Sequence, residues 1–135
     1  MLQFLDVGFF VVHSAIVVFN VTGWMFARTR RANLVLLLLT LASWVLMGAV
    51  YGIGYCVCAD WHFRVRHALG YQDQGDTYIG FVVWKLTGYL PPSGVVKSIC
   101  GIVFAICLAM SLFLNWRDRH RRLELVSASE TASVP

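Results

Sequence analysis

Three apolar runs, residues 7–27, 34–55 and 95–116, constrain this chain more than any other feature in it. Each holds about 20 residues, which at about 1.5 Å of helix rise per residue crosses about 30 Å of hydrocarbon. Arginines punctuate the runs. Seven of the eleven Lys and Arg residues fall in two clusters, Arg28, Arg30 and Arg31 after the first run and Arg117, Arg119, Arg121 and Arg122 after the third. Three spans put both clusters on one side. The positive-inside rule makes that side cytoplasmic, so the N-terminus and the 56–94 connection are expected outside. The first 27 residues contain no Lys or Arg. A cleavable signal peptide carries its positive charge ahead of the apolar run rather than behind it, so the first run reads as a retained helix. The composition is 59% hydrophobic and 13% charged, against about 25% charged for a soluble domain. Basic residues gathered at span ends, with no basic polar face, argue against nucleic acid as a partner.

The connection between the second and third spans predicts two short helices on the outer side. Asp60 is placed to cap the first and Gly70 to end it. Trp61, Val65, Ala68 and Leu69 share one arc of its helical wheel, and His62, Arg64, Arg66 and His67 point elsewhere. That pattern predicts an amphipathic helix lying on its apolar face. Residues 77–90 are too few to span. Asp76 is their expected N-cap, Pro91-Pro92 stops them, and an interfacial or re-entrant half-helix follows. The expected architecture is all-α: one transmembrane domain over residues 1–126, with residues 56–94 as an outer lid. The Ser/Ala/Thr-rich residues 127–135 read as a disordered cytoplasmic tail.

Along the first helix, Asp6, His13 and Asn20 are spaced by seven and fall within about 20° of one line. Polar groups in lipid are costly unless they face protein or water, so this stripe is expected to face the other helices. His13 admits two readings. It hydrogen-bonds Thr40, Ser43 or a backbone carbonyl on a neighbouring helix, or it contacts a haem, a chlorophyll-type pigment or a quinone. Nothing in the sequence requires a cofactor.

Small residues four apart let helix backbones approach closely in lipid. Gly48 and Gly52 supply such a pair in the second span, and Gly101, Ala105 and Ala109 a stripe in the third. The spacing suits packing within the bundle and packing against a partner equally. Cys56, Cys58 and His62 form Cys-x-Cys-x-x-x-His, a weak candidate for copper or zinc. Free thiols and a bridge from this pair to Cys100 are the competing readings. No nucleophile, base and acid set occurs, so the chain does not read as an enzyme. Trp61, Val65 and Leu69 on the lid form an apolar edge, and Trp84 adds an aromatic ring at the same level, a surface suited to headgroups or to another subunit.

Several of these residues also carry a resemblance. His13, Asn20-Val-Thr-Gly23-Trp24, Trp44, Gly52-Ile-Gly54-Tyr55-Cys56, Asp60-Trp61-His62, Arg66, Leu69-Gly70-Tyr71, Tyr78-Ile79, Lys85-Leu-Thr-Gly88 and Asn115-x-x-Asp118 together resemble the bacterial domain-of-unknown-function 2784 family over residues 6–118. The family tends to follow the cysteine with Pro-Leu-Thr. Here Val57-Cys58-Ala59 stands instead, which sets Cys58 apart and weakens a metal site built on it. The resemblance implies a small multi-pass protein of the bacterial inner membrane and lends no activity. The function expected from the sequence is non-catalytic: an accessory or scaffolding subunit packing against a larger membrane protein complex. The alternative is a cofactor protein using His13.

Overall fold

The computed structural model describes residues 1–52, 55–72 and 77–132. They form α1 (Leu2–Thr22) with a short 3-10 turn (Gly23–Met25), α2 (Arg30–Tyr51), α3 (Val57–Ala68), α4 (Tyr78–Thr87) and α5 (Ser93–Ala132). No strand occurs among the described residues. Three helical stretches, Leu2–Met25, Arg30–Tyr51 and Ser93–Leu125, are long and apolar enough to cross a membrane, with mean hydropathies of 2.0, 2.3 and 2.3. The chain is an all-α membrane protein with three candidate spans and two short helices between the second and the third.

Most large apolar side chains of the spans face outward, among them Val11, Val18, Leu39, Leu46, Ile102, Ile106 and Phe113. The buried positions include His13, Asn20, Asn33, Ser111, Leu37, Val96, Cys107 and Leu114. This inversion of the soluble pattern follows from the solvent. Lipid tails accept apolar side chains on the outside, and polar groups are left to bond one another inside.

Sequence and structure part at several element ends. α1 begins at Leu2, so Asp6 lies inside the helix. α3 begins at Val57, with Cys56 before it and no side-chain cap. Asp60 sits in its first turn, where Arg64 Nε donates to Asp60 Oδ2 at 2.8 Å on the exposed side. Gly70 does follow the helix end, with φ +83°. The N-cap of α4 is Thr77, whose hydroxyl accepts the Gly80 N–H at 3.1 Å, whereas Asp76 lies outside the described residues. Gly88 closes α4 in the left-handed conformation and returns its N–H to the Trp84 carbonyl, a glycine stop of the usual kind. α5 continues through residues 127–132, where the sequence suggested disorder.

α3 presents the opposite face from the one its helical wheel suggests. Trp61 is 57% exposed, whereas His62 is fully buried and Arg66 is 7% exposed. Val65 and Leu69 are half-buried and Ala68 is exposed. The polar side packs because a carboxylate, Asp6, waits on α1. Amphipathicity alone ranks faces by hydrophobicity and cannot register a buried counter-charge.

Candidate functional site

Asp6 is the hinge pin of the lid. His62 Nε2 donates to Asp6 Oδ1 at 2.8 Å, and Arg66 Nη1 lies 3.2 Å from both carboxylate oxygens. His62 and Arg66 are four residues apart and so share one face of α3. Aromatic rings close over the triad. The Arg66 guanidinium lies 4.6 Å from the Tyr71 ring centre and 4.7 Å from that of Phe81. Phe81, fully buried, meets His62 and Phe63 edge-on at 5.9 Å. A desolvated guanidinium between ring faces gains from both quadrupoles. The charge is thereby held in an apolar setting without leaving the carboxylate alone.

One heptad further along α1, Tyr78 covers His13. The two rings are stacked, 4.0 Å apart and 7° from parallel. The Tyr78 hydroxyl donates to the Phe10 carbonyl at 3.0 Å, and with that proton committed it accepts from Ser14 Oγ at 2.7 Å. α4 is therefore anchored to α1 through its first residue. Ala59, Tyr78 and Phe81 form a small buried core here, flanked by Phe10, Cys56, Phe63, Ile79, Val82 and Trp84. The expected bond from His13 to Thr40 or Ser43 is absent among the described residues, because Thr40 lies a heptad away and pairs with Asn20. The Nδ1 atoms of His13 and His62 are both buried without a hydrogen-bond partner among those residues.

The third member of the α1 stripe belongs to a second polar group at the arginine-rich end. Asn20 Nδ2 donates to Thr40 Oγ1 at 3.2 Å. Asn33 Nδ2 donates to the Phe19 carbonyl at 2.7 Å and the Asn20 carbonyl at 3.4 Å. The Phe19 carbonyl already accepts the Gly23 N–H at the end of α1, so Asn33 adds a second donor to it from across the turn and ties α2 to the last turn of α1. Gly23 makes room for it, since a Cβ there would sit 2.9 Å from Asn33 Nδ2. Arg30 ties the turn to α5: its Nη1 donates to Asp118 Oδ2 at 2.7 Å and its Nε to the Trp24 carbonyl at 3.1 Å. Asn115 Nδ2 donates to the Arg30 carbonyl at 3.1 Å. Sequence reasoning singled out neither Asn33 nor the Arg30–Asp118 pair. The available signal was an amide in the first turn of an otherwise apolar span.

The remaining candidates disperse. Cys56, Cys58, Cys100 and Cys107 are free thiols. Burial, with a smaller contribution from Cys56, pushes the Cys58 thiol up from its ordinary value, the wrong direction for a thiolate ligand or nucleophile. His62 is spent on Asp6 rather than turned to the cysteines, and no group of three His, Cys, Asp or Glu residues among the described residues is arranged to hold a metal ion. Gly52 follows α2 with φ +97°, where its N–H caps the Gly48 carbonyl. Gly101 has nothing within 4 Å of where a Cβ would be, and Ala105 and Ala109 are exposed. Trp84 is half-buried against the lid core.

These features define a class: a three-span helical membrane protein whose short connecting helices are clamped to the first span by buried polar contacts. Within that class the chain belongs to the family described as Protein of Unknown function (DUF2784), whose model matches residues 3–116. No curated protein and no solved structure matches it.

Proposed function

We propose that this protein is a non-catalytic accessory or scaffolding subunit that packs against a larger membrane protein complex through the outward face of α5. The observation that carries this reading is the direction of the Gly101-Ala105-Ala109 stripe. Small residues four apart serve close helix approach. Within this bundle the stripe serves no such approach, because Gly101 has an open Cβ position and both alanines are exposed. The inner face of the same helix is made by Val96, Cys107, Ser111 and Leu114. Trp61 adds an exposed aromatic at the lid end. Three polar contacts are committed inside the protein: Asp6 to Arg66 and His62, Tyr78 to Phe10 and Ser14, and Arg30 to Asp118.

The arginine clusters orient the chain with its α1–α2 turn and C-terminal tail in the cytoplasm of a bacterial cell and its lid outside the inner membrane. Reporters fused after Pro135 and inserted at residues 71–76 should fall on opposite sides; the same side for both would reverse this reading.

The test of assembly is the mass of the species extracted in several mild detergents. Wild-type protein should run well above one chain in its detergent belt, with chains of other sequence in the particle. Gly101→Leu with Ala105→Leu should release it as a smaller species with unchanged thermal stability. Wild-type protein running as a monomer in every mild detergent would overturn the proposal. The rival reading draws on the unpartnered Nδ1 of His13: a visible absorption band in the purified protein, bleached by His13→Gln, would establish a cofactor instead.

A further inference from the structure

Two adjoining concavities meet at Arg31. One is a cleft of about 300 Å³ at the arginine-rich end, lined by Ala27, Arg28, Arg30, Arg31, Asn115, Asp118, Arg119 and Arg122. The other is an apolar groove of about 480 Å³ running up the bundle surface, lined by Phe19 of α1 and by Arg31, Ala32, Val35, Leu36 and Leu39 of α2. Five arginines face one carboxylate in the cleft, and that carboxylate, Asp118, is bonded to Arg30. Arg28, Arg31, Arg119 and Arg122 form no ion pair among the described residues. From Arg31 to Leu39 the groove rises about 12 Å at about 1.5 Å per residue.

We infer that the cleft and groove together bind one anionic phospholipid of the adjoining leaflet, its phosphodiester among Arg28, Arg31, Arg119 and Arg122 and one acyl chain along Val35, Leu36 and Leu39. Guanidinium is the side chain best matched to phosphate oxygens, which it takes in pairs. Basic pockets between helices at a membrane surface hold anionic headgroups for this reason. The cleft alone fits any phosphate ester. What selects a lipid is continuity: the groove opens at the arginine that also lines the cleft, its lining above Arg31 is apolar, and it runs in the direction an acyl chain must take. Arg30 and Asp118 are the fixed floor, because their pair ties α2 to α5, and the four unpaired arginines are the ligands. The inference stands apart from the accessory-subunit reading, since it concerns a different face of the bundle.

The experiment uses the purified full-length chain in mild detergent, titrated with dioleoyl phosphatidylglycerol and followed by native mass spectrometry and by the shift in thermal unfolding. One phosphatidylglycerol per chain should be retained, whereas dioleoyl phosphatidylcholine should dissociate. Arg31→Gln with Arg119→Gln, both exposed and unpaired, should weaken retention about 25-fold, at about fivefold for each arginine near a charged surface. Ala32→Trp, which fills the groove and leaves the charges alone, should weaken it as well. Arg64→Gln on α3, remote from the cleft, should leave it unchanged. Equal loss from Arg64→Gln would make the affinity a matter of net charge and overturn the site. Equal stabilisation by inorganic phosphate or by glycerophosphoglycerol, the headgroup without chains, would assign the cleft to a soluble phosphate and overturn the lipid.

Discussion

The two ends of the bundle solve the same problem in different ways. Each must hold an arginine against an aspartate from a distant part of the chain. At the lid end a buried Arg66 meets a half-buried Asp6, and rings of Tyr71 and Phe81 replace water around the guanidinium. At the other end Arg30 meets Asp118 where the carboxylate is one-third exposed, and the Trp24 carbonyl takes the guanidinium's Nε–H. The first arrangement depends on every member, because a buried charge that loses its partner has no solvent to turn to. The second can relax toward the headgroups. Charge pairs of similar sequence type therefore differ in consequence according to what surrounds them.

The largest expected effect breaks the lid end. Asp6→Ala takes the carboxylate away from Arg66 and His62, and removing one partner of a buried pair costs about 3–5 kcal/mol. The lid should detach while the spans stay inserted, seen as protease cleavage within α3 in intact vesicles. Asp118→Ala should cost about 1 kcal/mol or less in thermal unfolding, since its partner retains the Trp24 carbonyl and lies near solvent. Equal costs for Asp6→Ala and Asp118→Ala in that measurement would mean that the surroundings of the two pairs make no difference.

A smaller effect sharpens the other end. Gly23→Ala places a methyl 2.9 Å from the Asn33 amide, and crowding of this kind costs about 1–3 kcal/mol. Gly101→Ala, with open space around it, should change stability by less than about 0.5 kcal/mol. Tyr78→Phe follows. It removes the bonds to Phe10 and Ser14 but keeps a ring against His13, and hydrogen bonds within membrane bundles average about 0.6 kcal/mol. The smallest effect concerns Cys58. Because burial raises its thiol, the thiolate fraction at neutral pH falls below that of a free cysteine. Maleimide should label it more slowly than the unfolded chain at pH 7, and the gap should narrow as pH rises. Labelling faster than the unfolded chain would contradict that environment.

The spans were legible because hydropathy over about 20 residues is a local property. That Asp6, His13 and Asn20 lie on one α1 face was legible from their spacing, and the structure turns that face inward. Their partners were not. His62 and Arg66 read as residues turned away from the packed face of their helix until a carboxylate 56 and 60 positions away is brought against them. The role of Tyr78 is set only when α4 is folded back onto α1. Gly52 read as a packing residue because its four-residue spacing from Gly48 matches two roles, and only the backbone conformation separates them. Asn33 escaped because its task, bonding carbonyls across a turn, leaves no periodic trace.

The heptad spacing on α1 has a further consequence. Asp6 and His13 meet the lid, and Asn20 meets α2, so one helix carries the docking points of both ends in a fixed angular phase. At 3.6 residues per turn, one residue inserted between Ser14 and Phe19 would rotate the ends by about 100° relative to each other. No rigid adjustment of the lid could follow both. A seven-residue insertion would nearly restore the phase while adding about 10 Å, a third of the hydrocarbon thickness. The length of the first span is thus quantised: it can change only in steps too large for the bilayer to ignore.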